Sequence, residues 1–274
     1  MKLRIIKCLF YNLLLLSSQS IFAAEILVAS ASNFSEPLKR IAQLFEQQHA
    51  TQKNTPKTKP KVTLVIASTG KLYAQIKHGA PYDLFFSADE RRAKLLDDEK
   101  VAIANSRFTY AIGKLALWSP QANYIDQQGE ILKSQDFRFL AMANPKLAPY
   151  GKAAKQLLIQ LGVWNQLQGR IVRGENIGQT YQFVKTANAQ LGLIAYSQLK
   201  HPDRSISGSL WLVPQNNYTP IKQQAVLLKD NPLARQFYLF VKSPEAEKII
   251  RSFGYSLEND TTHKPLEKVP AHAH

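Results

Sequence analysis

Apolar positions along the chain switch repeatedly between an unbroken run and a helical stripe. Glu25–Ser30 (EILVAS) reads as a strand. Leu38, Ile41, Ala42 and Phe45 follow at helical spacing, the apolar face of an amphipathic helix. Asn33 and Glu36 have the spacing of a capping box at its start, Ser35 is a competing cap, and Pro37 fits its first turn. Gln52–Lys61, polar with Pro56 and Pro60, reads as a surface loop. Val62–Ile66 predicts a strand, Leu72–Ile76 a helix ending near His78-Gly79, Tyr82–Phe86 a strand and Asp89–Leu96 a helix. Phe108–Ser119 reads as one long β segment that leaves a first lobe for a second. Phe139–Ala143, Ile171–Arg173 and Leu193–Tyr196 are further strands. Helices are predicted over Lys152–Leu161, stopped by Gly162, and over Gly178–Ala187. Gln224–Leu228 returns to the first lobe, and Pro232–Val241 and Pro244–Phe253 are closing helices. Strands alternating with helices predict an α/β fold.

Composition places limits on this picture. The chain has 274 residues, 45% apolar and 20% charged, an ordinary globular balance that excludes a disordered acidic segment, a collagenous chain and a disulfide scaffold. The length allows one large domain or two lobes. The first 23 residues stand apart. Lys2, Arg4 and Lys7 make a positive start, Cys8–Leu16 is a short apolar run broken by Asn12, and Ile21-Phe22-Ala23 precedes Ala24 as a cleavage site. This is the pattern of a secretory signal peptide over residues 1–23. Cys8 precedes the apolar run, which excludes a lipoprotein signal. Cleavage would remove the one Cys and lower the formal charge from +15 to +12 by taking away three basic residues. A thiol-free mature chain with no later membrane-length apolar run is expected to be soluble, and periplasmic or secreted.

Enzyme signatures are missing from the sequence. There is no G-x-S-x-G elbow and no H-E-x-x-H motif. Thr69-Gly70-Lys71 resembles the end of a P-loop, but the earlier glycine is absent and Leu72 stands where Ser or Thr is needed. A hydrolase built on Ser32 or Ser68 would lack a general base, because neither loop carries a His. His49, His78 and His201 read as surface residues, and His263, His272 and His274 as part of a polar tail. No metal or cofactor is expected. The basic charge would suit a nucleic-acid binder, but export argues against one.

One pattern recurs: a strand ends, small or polar residues follow, and a helix begins. It occurs at Ser32-Asn33, Ser68-Thr69-Gly70, Pro149-Tyr150-Gly151 and Asn176-Ile177-Gly178. Helix-start N–H groups and the helix dipole favour negative charge, and hydroxyls add donors. Taken singly, each is also an ordinary cap. If the four met in one cleft, they would hold an oxyanion with neutral donors alone.

The chain resembles the periplasmic molybdate-binding proteins of ABC transporters over roughly Glu25–Tyr255. The resemblance rests on V-A-S-A-S-N-F at Val28–Phe34, A-S-T-G-K-L-Y-A-Q-I at Ala67–Ile76, H-G-A-P-Y-D-L-F-F-S-A-D-E at His78–Glu90, S-R-F-T-Y-A-I-G-K-L at Ser106–Leu115, and N-P-x-x-A-P-Y-G at Asn144–Gly151. It implies a type II periplasmic-binding-protein fold, two α/β lobes joined by a hinge around a ligand cleft. Lobe I would comprise 24–107 with 222–256, lobe II 108–221, and a disordered tail 257–274.

The resemblance also implies the ligand set. Ser32 matches the first-loop hydroxyl, Asn33 contributes beside it, Thr69 aligns with a family serine, and Ile177 aligns with a valine that donates its backbone N–H. Some members carry a ligand tyrosine where this chain has Ala195, and a small residue where it has Tyr150. Here Tyr150 is therefore expected to supply the phenol. The implied ligand is molybdate or tungstate, delivered by a monomer to an inner-membrane permease without catalysis. Sulfate, phosphate or chromate are the alternative oxyanions. Lys71 and Lys152 are expected to face solvent.

Overall fold

The computed structural model describes residues 25–50 and 60–260. The expected signal peptide, most of the polar loop and the His-bearing end of the tail lie outside them. The elements run β1 (Glu25–Ala31), α1 (Ser35–Ala50), β2 (Lys61–Ala67), α2 (Thr69–Lys77), β3 (Leu84–Ser87), α3 (Glu90–Asp98), β4 (Phe108–Gly113) and β5 (Leu115–Ser119). They continue α4 (Ile131–Ser134), β6 (Leu140–Ala143), α5 (Pro149–Gln160), β7 (Ile171–Gly174), α6 (Ile177–Lys185), β8 (Leu191–Ala195), β9 (Ser209–Leu212), β10 (Ile221–Leu227), α7 (Pro232–Val241) and α8 (Pro244–Ser252).

The strands form two five-stranded sheets, ordered β2-β1-β3-β10-β4 and β7-β6-β8-β5-β9. Each has three parallel strands and two added strands joined by antiparallel pairing. The central strands are largely apolar because helices cover both faces. In the first sheet Ile26, Val28, Leu84 and Phe86 enter one core, while Ala29 and Phe85 enter the other. In the second, Leu115, Leu117, Leu140 and Met142 face one side, and Ala116, Trp118 and Ala141 face the other. Side chains two apart share a face, so a strand buried on both sides loses its alternating pattern.

Several expectations change. Phe108–Ser119 is not one strand: Phe108–Gly113 pairs with β10 in the first sheet, and Leu115–Ser119 pairs with β8 and β9 in the second. The chain therefore leaves the first sheet at Lys114, not at Phe108 where the sequence places the lobe boundary, and re-enters it at Ile221. β9 and α4, each four residues long, have no counterpart in the sequence pattern. The capping box at Asn33 and Glu36 does not form. Residues Ser32–Phe34 make a 3₁₀ turn, and the Asn33 side chain points inward to Gln223 and Tyr255. The ordered chain also runs past the expected start of the tail. Leu257 is buried in the first-sheet core, and Glu258–Asp260 form a turn tied back by an Arg251–Asp260 ion pair.

Candidate functional site

All four helix starts singled out in the sequence lie at carboxyl ends of parallel strands. Ser32 and Asn33 follow β1, and Ser68 and Thr69 follow β2. Tyr150 follows β6 through the loop Asn144–Ala148, and Ile177 follows β7. In open α/β sheets the crevice beyond these ends is where ligands bind. Here the two sheets point these ends at each other. One small cavity is lined by Ala31, Ser32, Asn33, Ser68, Thr69, Ala88, Ala148, Pro149, Tyr150 and Ile177. The fold thus gathers all five candidate residues around one space, and none of the described residues lining it is charged.

Three of the four hydroxyls in this lining, all but that of Ser68, share one feature. Ser32 Oγ accepts a hydrogen bond from Gly178 N–H at 3.2 Å. Thr69 Oγ1 accepts from Ala88 N–H at 3.1 Å. Tyr150 Oη accepts from Gln223 Nε2 at 3.2 Å. A hydroxyl has one proton to give. With one lone pair of each oxygen engaged by an N–H, each hydroxyl still has its own proton to give to a ligand. Ile177 adds a backbone N–H at the first position of α6, where no intrahelical acceptor exists. Asn176 caps that helix, its side chain accepting from Gln179 N–H at 3.0 Å.

Asn33 has a different part from the one its type suggests. Its Nδ2 donates to Gln223 Oε1 at 2.7 Å and to Tyr255 Oη at 2.9 Å, which engages both protons of the amide. What it can offer the cavity is its backbone N–H in the 3₁₀ turn. Its carbonyl accepts from Tyr255 Oη at 2.8 Å and from Ser197 Oγ at 3.2 Å.

Burial pushes the Tyr150 phenol well above its ordinary pKa, and the nearby phenols of Tyr255, Tyr218 and Tyr110 add to this. The group therefore stays protonated, and a donor, through the neutral range. Lys71 and Lys152 are exposed, as expected. Arg92 is buried behind Gly70, paired with Asp89 at 2.5 Å and donating to Lys146 O at 2.9 Å. Together with Gly70 N–H on Leu147 O at 2.9 Å, this ties the rim of the first sheet to that of the second.

Sequence reading missed the residues behind the lining: Gly113, Tyr110, Gln223, Tyr255 and Ser197. Only Gln223 left a trace, as a polar residue beside the apolar run that became β10. Its partners come from separate parts of the chain, which no local pattern relates.

Two α/β lobes, two chain crossings and a cavity between facing strand ends are the architecture of a two-lobed solute-binding protein. The chain belongs to the bacterial extracellular solute-binding protein family, which it matches over residues 26–256. It is 44% identical to the molybdate-binding protein ModA of Azotobacter vinelandii over 239 residues, 86% of this chain and 91% of that protein. Against ModA of Rhodobacter capsulatus the identity is also 44%, over 86% of this chain and 90% of that one. The solved periplasmic molybdate-binding protein of Azotobacter vinelandii superposes with a TM-score of 0.79 at 40% identity, covering 85% of this chain and 99% of that chain. The two-lobed α/β architecture implied by the sequence resemblance is thus the architecture of the protein.

Proposed function

We propose that this protein captures molybdate, and also tungstate, in the periplasm and delivers it to an inner-membrane ABC permease. The ligand set is Ser32, the Asn33 backbone, Thr69, Tyr150 and the Ile177 backbone. The observation that carries this reading is the shared bonding of the Ser32, Thr69 and Tyr150 hydroxyls, each accepting from a protein N–H while keeping a proton to donate. An uncharged lining that offers several donors suits an oxyanion that carries no proton. Molybdate, tungstate and sulfate meet that condition at neutral pH. Hydrogen phosphate does not, because its proton needs an acceptor. Size then separates the larger molybdate and tungstate from sulfate. The names of the 44%-identical relatives support molybdate over the other anions.

The protein works without chemical conversion of its ligand, as a monomer, and with no nucleic-acid partner. Lobe I carries the first sheet and lobe II the second, with the hinge at Lys114 and at the return into Ile221. The exposed basic residues raise the local potential for anions without touching the bound one. Calorimetry and thermal melting across molybdate, tungstate, sulfate and phosphate test the reading. A ligand that binds only the folded state raises the melting temperature. Tight molybdate and tungstate binding with none for phosphate is expected. Tight sulfate binding without molybdate binding would overturn the choice of ligand.

A further inference from the structure

Gln223 lies on β10, fully buried, and has no place in the ligand set. Its side-chain amide joins three residues. Oε1 accepts from Asn33 Nδ2 at 2.7 Å and from Tyr110 Oη at 3.0 Å. Nε2 donates to Tyr150 Oη at 3.2 Å. Turning the Gln223 amide over would require the Asn33 amide to turn with it. The Asn33 amide nitrogen can only donate, so it must face an oxygen. Asn33 is itself fixed, since Nδ2 also donates to Tyr255, whose hydroxyl donates back to the Asn33 carbonyl.

The sheet has a local irregularity that serves this arrangement. Gln223 pairs with Ala111 and Gln224 with Thr109, so Tyr110 is an extra residue in β4. Such a bulge re-aims side chains. Tyr110 sends its hydroxyl to Gln223 Oε1 and to Ser87 O, at 3.0 and 3.2 Å. The next residue, Gln224, joins a different set, accepting from Arg107 and donating to Thr109.

We infer that Gln223 is a positioning residue that sets the polarity of the Tyr150 hydroxyl, holding it as a donor toward the ligand. The inference rests on the reading of this cavity as the oxyanion site. With Oε1 facing Asn33 and Tyr110, Nε2 faces Tyr150, and Tyr150 accepts from it. Its proton is then turned away from Gln223, and in the absence of ligand the Tyr255 hydroxyl is the protein group that can take it. The order of constraint runs from Tyr255 to Asn33 to Gln223 to Tyr150, from the first sheet to a ligand residue of the second.

The test is a double-mutant cycle of Gln223→Glu with Tyr150→Phe, read as molybdate affinity by calorimetry. The Glu side chain keeps an acceptor for Asn33 and Tyr110 but offers Tyr150 an oxygen, so the phenol turns to donate to it. Gln223→Glu is expected to lower affinity about tenfold or more when position 150 is the native tyrosine, and no more than about twofold when it is combined with Tyr150→Phe. An equal loss in both is what a new buried charge near a dianion would give, and it overturns the inference. A second measurement needs no folded Gln223 variant. In wild-type protein labelled at tyrosine Cζ, the resonance absent from Tyr150→Phe should move on molybdate addition as a phenol does when it donates to an anion. A Tyr150 resonance that does not move overturns the inference while leaving molybdate binding intact. Failure of wild-type protein to bind molybdate overturns the underlying reading as well.

Discussion

Gly113 and Tyr150 lie in direct contact: a Cβ on Gly113 would overlap the Tyr150 hydroxyl and crowd the Gln223 amide. Gly113 is the last residue of β4, at the point where the chain crosses between sheets. It is glycine because a phenol from the other sheet occupies the space of a side chain. Gly113→Ala is expected to push the phenol off its position and lower molybdate affinity by about tenfold or more, with an overpacking cost of about 1–3 kcal/mol. Calorimetry and thermal melting read the two effects separately. Unchanged affinity would mean that the phenol has room to adjust.

Tyr150→Phe removes the donor and keeps the ring. A hydrogen bond to a charged group contributes about 1.5–3 kcal/mol, so the affinity should fall by roughly tenfold to more than a hundredfold. The variant also leaves Gln223 Nε2 without its acceptor, a buried orphan that should lower stability by about 1–3 kcal/mol. The measurement is a molybdate titration beside a denaturation curve.

Thr69 separates two contributions of one hydroxyl. Thr69→Ser keeps the oxygen that accepts from Ala88 N–H and should bind nearly as the parent does. Thr69→Val has the same shape but offers neither acceptor nor donor. It should lose binding, and it should also lose about 1–3 kcal/mol of stability because the Ala88 N–H is left unpaired in a buried site. Equal affinity for the Ser and Val variants would remove Thr69 from the ligand set.

The pH response follows from the buried phenols. Burial raises Tyr110 and Tyr150 well above the ordinary value, and pushes Tyr255 up to about 12. The folded state holds protons that the unfolded chain releases near its ordinary value of 10.0. The contribution of these phenols to stability is therefore level below that pH and falls as pH rises toward the folded values. Molybdate affinity should be flat over roughly pH 6 to 9, since Tyr150 is the one titrating group among the described residues of the lining. Tyrosinate absorbance followed together with circular dichroism checks this. The buried phenols should ionise with unfolding and not before it. A break in affinity near neutral pH would point to a titrating group outside this lining.

The sequence is most informative where a residue's neighbours are its own loop. Ser32, Thr69, Tyr150 and Ile177 each sit where a strand ends and a helix begins, and each lines the cavity. Asn33 lines it too, but its side chain is committed elsewhere. Its partners, Gln223 and Tyr255, are about two hundred residues away in sequence. Both halves of a capping box are present, yet the box does not form. Burying Asn33 with both amide protons bonded satisfies the group better than exposure at a helix start.

What the sequence determined by itself is the alternation of strand and helix and the chemical type of each cavity-lining group. Apolar period and local capping chemistry act over a few residues, so they can be read along the chain. What only the tertiary structure decided is where the chain crosses between sheets, and which way each hydroxyl points. Lys114 divides a continuous apolar run because its two halves pair with different strands, β10 and β8. The polarity of Tyr150 depends on Gln223, that of Ser32 on Gly178 and that of Thr69 on Ala88. A hydroxyl can donate or accept with equal ease, so its role is settled by the partner that folding brings to it.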